Sequence, residues 1–132
     1  MGKLGSLILV RGVPGSGKST FAKCYPDHNH LETDMFFMVD GEYKFDHTKL
    51  GEYHDKCQQQ TQELLDRGDD VIVTNTFVRL WELEKYLNMN YSDVDVFRMI
   101  SDFVNIHKVP TEIIDRMKKN FDDYVGETLV VD

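Results

Sequence analysis

Gly12-Val13-Pro14-Gly15-Ser16-Gly17-Lys18-Ser19 satisfies the pattern G-x-x-x-x-G-K-[ST], and Thr20 adds a further hydroxyl. The spacing has a chemical reason. Glycines at 12, 15 and 17 admit backbone angles and close approaches that a Cβ forbids, so successive N–H groups can turn inward toward phosphate oxygens. If a helix starts at Lys18, its unsatisfied amides and the positive end of its dipole favour an anion at the same place. Lys18 would then reach the β- and γ-phosphates of a nucleotide. Ser19 is placed to ligate a Mg²⁺ ion bridging those phosphates and neutralising the charge that builds up during transfer. The pattern therefore points to ATP with Mg²⁺, held through Gly12, Val13, Pro14, Gly15, Ser16, Gly17, Lys18, Ser19 and Thr20.

Such a loop works only between a strand and a helix, and the flanking residues supply both. Leu7-Ile8-Leu9-Val10 is a continuous apolar run that reads as a parallel strand buried on both faces. A helix follows from Lys18 to about Tyr25, with Pro26 stopping it. His30-Leu31-Glu32-Thr33 reads as a second short strand. Leu50, Tyr53, His54, Cys57, Thr61, Leu64 and Leu65 recur at helical spacing and form one stripe of a helix that stops near Gly68. Val71-Ile72-Val73 is a third strand, Leu80, Leu83 and Leu87 mark another helix, and Val94-Asp95-Val96-Phe97 another strand. Ile113, Ile114, Met117, Phe121 and Tyr124 suggest a last helix entered near Pro110, and Leu129-Val130-Val131 a closing strand. Strands alternating with helices imply an α/β fold, a parallel sheet with helices on both faces.

Composition narrows the function classes. At 132 residues, 41% hydrophobic and 29% charged, residues 1–132 are expected to form a single domain around one core. The apolar run at Leu7 is far too short for a signal-peptide core or a membrane span, so a cytoplasmic protein without a membrane partner is expected. A formal net charge of -8 argues against broad wrapping of nucleic acid, while a strand end in a narrow channel stays compatible with it. Cys24 and Cys57 are read as small hydrophobes packed on helices, and His28, His30, His47, His54 and His107 have no metal-ligand spacing.

In an open parallel sheet, ligands lie beyond the carboxyl ends of the strands. Asp34 follows the second strand there, as a base for an incoming hydroxyl or as a solvent-facing turn residue. Beyond the phosphate loop, Thr33-Asp34-Met35-Phe36-Phe37, Asp40-Gly41-Glu42-Tyr43-Lys44-Phe45, His54, Asn75-Thr76 with Trp81-Glu82, and Asn105-Ile106-His107-Lys108-Val109-Pro110 with Arg116-Met117-Lys118 occur in order. Together these segments resemble the P-loop kinases related to the kinase domain of phage polynucleotide kinase and to the NEDD4-binding-protein-2-like proteins. The resemblance implies a P-loop NTPase/kinase fold with about five parallel strands and Asp34 as general base for a 5′-hydroxyl acceptor. It also implies a lid at about 101–110.

The chain departs from that pattern at three places. Val104 stands where the lid would carry an arginine; Lys108 is a substitute point charge, or the lid is degenerate. Thr74 and Asn75 stand where relatives carry an aspartate, leaving a metal to Ser19, phosphate oxygens, water and Asp34. Phe37 stands where polynucleotide kinases carry an arginine for the acceptor's phosphate. Arg79 is a candidate replacement or an exposed helix-start residue. Met35, Phe36, Phe37 and Met38 are core or a base-stacking surface, and Arg116, Lys118 and Lys119 fit the solvated face of a helix. The leading expectation is a kinase with Lys18 and Asp34 at its chemistry and the 5′-hydroxyl end of a single-stranded polynucleotide as acceptor. The alternatives are a kinase of a nucleoside or other small hydroxyl compound, and an ATP-binding regulatory module with little transfer activity.

Overall fold

The apolar run that begins at Leu7 forms β1 (Leu7–Arg11), all five residues of which are buried. A computed structural model describes residues 2–100 and 110–131. After β1 come α1 (Lys18–Ala22) and β2 (Asn29–Leu31), then a 3₁₀ turn at Thr33–Phe37. A small hairpin, β3 (Met38–Val39) and β4 (Glu42–Tyr43), leads through a second 3₁₀ turn to α2 (Leu50–Asp66). The chain continues through β5 (Val71–Asn75), α3 (Leu80–Leu87), β6 (Val94–Met99), α4 (Thr111–Asn120) and β7 (Thr128–Val130). Five strands form one sheet in the order β2-β5-β1-β6-β7, and every pairing in it is parallel. The central place of β1 puts the end of that strand, and the loop after it, in the middle of the carboxyl edge.

Alternation along β1 divides the core in two. Leu7 and Leu9 face Cys57 and Leu65 of α2 and Leu83 and Tyr86 of α3, whereas Ile8 and Val10 face Ala22 and Phe21 of α1. Helices therefore cover both faces of the sheet, as a parallel sheet requires. Cys57 is buried as expected, but Cys24 is exposed. No helix among the described residues is long and apolar enough to cross a membrane.

Three boundaries differ from the sequence reading. The second strand stops at Leu31 because the amide of Thr33 leaves the ladder to donate to the Asn75 side chain at 2.9 Å. The first helix stops at Ala22, short of Tyr25. The last helix stops at Asn120, so Phe121 and Tyr124 do not share its stripe: the amide of Asp122 donates to the Val78 carbonyl at 2.8 Å, drawing the chain away. The hairpin had not been expected. Its two-residue turn is Asp40-Gly41, both at positive φ (52° and 82°), the pairing that a tight antiparallel turn demands.

One buried cation ties the end of β1 to distant segments. Arg11 is fully buried; its guanidinium donates to the Phe77 carbonyl at 3.1 and 2.6 Å and to Glu127 at 3.0 Å. This guanidinium and that of Arg98 both lie against the Phe121 ring, each 4.4 Å from its centre. Glu127 also meets Arg98 at 3.4 Å, so one nearly buried carboxylate serves two arginines. Removing it strands a charge inside the protein, whereas the Lys44–Glu42 pair at 3.9 Å is solvent-exposed and carries little. Glu127→Ala should lower the unfolding free energy by about 3 kcal/mol in urea titrations. Glu42→Ala should change it by no more than about 0.5 kcal/mol.

Candidate active site

The loop after β1 is shaped by what its glycines allow. A Cβ on Gly12 would collide with the Ser16 hydroxyl and stand 3.1 Å from the Met99 Cβ, so no other residue fits. The Gly12 amide donates to the Thr76 carbonyl at 3.2 Å, tying the loop to the end of β5. Gly15 and Gly17 take left-handed angles, and Gly17 passes the chain into α1 without any side chain capping the helix. The amides of Lys18, Ser19 and Thr20 thus open the helix with no intrahelical acceptor. The Ser16 hydroxyl is buried and has no hydrogen-bond partner among the described residues.

Lys18 folds back over this loop, its ammonium donating to the carbonyls of Gly12 at 2.9 Å and Val13 at 3.0 Å. Burial pulls its pKa down to about 8, against the opposing pull of Glu32 and then Asp34. Together the ammonium, the amides that open α1 and the Ser16 hydroxyl form a donor set that suits an anion. Pro14 is half-buried beside the loop, and Thr20 is exposed on the first turn of α1.

The acceptor side is built from β2, β5 and α2. The Thr33 amide donates to Asn75 at 2.9 Å, and its hydroxyl bonds His54 Nδ1 at 3.0 Å. These two contacts, one from a strand end and one from a helix, fix the turn that carries Asp34. The Asp34 carboxylate is half-buried and meets the Tyr43 hydroxyl of the hairpin at 3.5 Å. Asn75, a departure from the family pattern, is thus the residue that anchors the aspartate's turn.

Glu32 was not singled out from the sequence. Its carboxylate accepts the Thr74 hydroxyl at 2.9 Å and lies 3.5 Å from Ser19 Oγ. Thr74 also bonds His30 Nε2 at 2.7 Å. Its one hydroxyl proton goes to Glu32, so His30 Nε2 is the donor in that contact, and burial lowers the His30 pKa in keeping with a neutral ring. The available signal was position: Glu32, like Asp34, falls at the carboxyl edge, while the end of β5 offers no carboxylate.

The remaining candidates are less engaged. Arg79 lies just past β5, half-exposed, and pairs with Asp122 at 3.3 Å. Lys108, Val104 and the expected lid at 101–110 lie outside the described residues apart from Pro110. Phe37 is buried, Phe36 packs on the core, and Met35 and Met38 are exposed. The oxygen donors present, the hydroxyl of Ser19 and the carboxylates of Glu32 and Asp34, suit a hard cation such as Mg²⁺, and the loop's unspent donors suit a polyphosphate.

A parallel sheet with this loop at the end of its central strand defines an α/β P-loop fold of the kinase type. A family model described as an AAA domain matches residues 7–99, and the chain belongs to that family. It is 31% identical to NEDD4-binding protein 2 of Homo sapiens over 95% of this chain, and spans only 8% of that protein's length. A chain of the Pnkp1/Rnl/Hen1 RNA repair complex superposes with a TM-score of 0.63 at 20% identity, over 91% of this chain and 47% of that one. A gluconokinase from Sinorhizobium meliloti 1021 superposes with a TM-score of 0.60 at 15% identity, over 97% of this chain and 83% of that one. The resemblance to P-loop kinases read from the motifs holds, and the solved structures bear on the fold alone.

The lowered Lys18 pKa has a measurable consequence. Between about 8 and the ordinary 10.5 the unfolded chain binds more protons than the folded one, so this residue makes stability rise with pH across that window. A bound polyphosphate favours the charged ammonium and raises the pKa again. Calorimetry of ATP binding at pH 8 should therefore show uptake of about half a proton, read as a dependence of heat on buffer ionisation enthalpy. Lys18→Met should abolish that uptake.

Proposed function

We propose that the chain is an ATP- and Mg²⁺-dependent phosphotransferase that moves the γ-phosphoryl group to a hydroxyl, and that this hydroxyl is the 5′ end of a single-stranded polynucleotide. The observation that carries the reading is the opposition of Lys18 and Asp34. Each is fixed by independent contacts, and they are close enough for the carboxylate to act on the lysine's charge. In this reading the loop from Gly12 to Thr20 binds the phosphates, Lys18 stabilises negative charge at the transferring group, and Ser19 is a metal ligand. Asp34 accepts the proton of the attacking hydroxyl or holds that hydroxyl in line. A magnesium ion, when bound, supplies charge neutralisation at the phosphate oxygens. A loose phosphoryl transition state needs chiefly such positioning and charge compensation.

The polynucleotide acceptor draws support from the hairpin side. A cavity of about 400 Å³ is lined by Phe37, Phe45, Tyr53 and Val39 together with Lys44, His47 and Lys49 and one acid, Asp46. The Phe37 ring meets Phe45 in a tilted contact at 5.0 Å and Tyr43 edge-on at 6.2 Å between centres, and the Tyr43 hydroxyl reaches Asp34. Aromatic faces beside cations suit a base with its phosphate, the pairing that single-stranded nucleic acid needs. Arg79 and Lys108 are the further cations that this reading assigns to the acceptor or the transferring phosphate, and segment 101–110 is its lid. The formal charge of -8 favours instead a nucleoside or another small hydroxyl compound.

Labelled ATP offered separately to a 5′-hydroxyl oligonucleotide and to nucleosides distinguishes the two acceptors. The wild-type chain should label the oligonucleotide, and Asp34→Asn should reduce transfer by about 10²–10⁴-fold while leaving ATP affinity within about threefold. Lys18→Ala should weaken both. Labelling of nucleosides alone would replace the acceptor, undiminished transfer by Asp34→Asn would remove the base, and tight ATP binding with no turnover on any hydroxyl would leave a binding module.

A further inference from the structure

Resting on the magnesium-nucleotide reading above, we infer that Glu32 is the carboxylate that holds the metal ion of this site, in place of an acid at the end of β5. The family pattern has that acid on the strand beside the phosphate loop, where this chain carries the Thr74 hydroxyl and the Asn75 amide. Both replacements have other work. Asn75 anchors the turn of Asp34, and Thr74 gives its proton to Glu32 at 2.9 Å. The negative charge missing from β5 is thus restored from the residue just past β2, the next strand in the sheet.

Ser19 Oγ donates to the Glu32 carboxylate at 3.5 Å, and the same spacing can admit a metal between the two groups. Two adjacent ligands of an octahedral magnesium at about 2.1 Å stand about 3 Å from each other. The Glu32 carboxylate and Ser19 Oγ are 3.5 Å apart, close to that edge, and Ser19 is the residue the loop pattern assigns to the ion. A chain of hydrogen bonds from His30 Nε2 (2.7 Å) through the Thr74 hydroxyl aims the carboxylate, as outer partners aim metal ligands. Thr74 is buried and His30 half-buried, so the support is rigid. Asp34, the other nearby acid, is turned to Tyr43 on the hairpin. The two acids thereby have separate duties: Glu32 serves the ion and Asp34 the acceptor.

Glu32→Gln tests this with little disturbance, because the amide oxygen can still accept from Thr74 while the charge is lost. ATP affinity is measured by calorimetry in excess Mg²⁺ and again in EDTA. The wild type should bind more tightly with Mg²⁺. Glu32→Gln should lose about tenfold or more of that enhancement, yet bind ATP in EDTA at least as well as the wild type, since a repelling carboxylate is gone. Binding in EDTA also proves the variant folded. Moving the acid back, Glu32→Ser with Thr74→Asp, should restore the enhancement. Full enhancement retained by Glu32→Gln would overturn the inference while leaving the phosphate site intact. A wild type that binds no ATP in either condition, or binds it equally in both, would overturn the magnesium-nucleotide reading and this inference with it.

Discussion

A lysine ammonium packed against two carbonyl oxygens of its own loop is the interaction around which the rest of the molecule is arranged. Two carbonyls accept from two of the three N–H donors of Lys18 but carry no countercharge, and burial has already pulled its pKa to about 8. Keeping that group partly desolvated costs free energy that Glu32 and Asp34 partly offset and a bound anion would offset further. The neighbouring uncapped amides and the Ser16 hydroxyl, without a partner among the described residues, suit the same anion. A loop in this condition must be prevented from collapsing onto itself, and its anchors lie outside it. Gly12 is tied to Thr76, and Arg11 to Phe77 and Glu127, so the central strand ends in a rigid clamp.

The acids opposite Lys18 follow from sheet order. With β5 between β1 and β2, the ends of three adjacent strands deliver the loop, the Thr74–Asn75 pair and the Glu32–Asp34 segment to one edge. Early termination of β2 is what makes the arrangement possible. A strand continued through Thr33 would alternate its side chains across the two faces of the sheet. The 3₁₀ turn instead keeps Glu32 over Ser19 and swings Asp34 toward the hairpin. The same turn buries Phe37, which supports the aromatic wall of the cavity.

Much of this was legible in the residues. Continuous apolar runs at Leu7 and Val71 read as buried strands and became β1 and β5, and the helical stripe from Leu50 to Leu65 became α2. The phosphate loop declared itself because its pattern demands particular atoms at particular spacings. What failed was governed by tertiary contacts. Phe121 and Tyr124 fit a helical stripe, yet the Phe121 ring instead packs against the guanidinium groups of Arg11 and Arg98. The Asp40-Gly41 turn carried a hairpin signal that went unread because its strands are only two residues long. Glu32 was hidden for a different reason: a carboxylate beside a strand end means nothing until the partner strand is known to present Thr74 to it.

The central claim, that this loop grips a polyphosphate through main-chain amides, is tested most directly by amide chemical shifts in a ¹⁵N-labelled sample titrated with ATP and Mg²⁺. The amides of residues 15 to 20 should move most, downfield as they acquire charged acceptors, with smaller movements at Glu32 and Asp34. Spectra in which these amides stay fixed at saturating nucleotide, or in which the changes lie elsewhere in the fold, would contradict it.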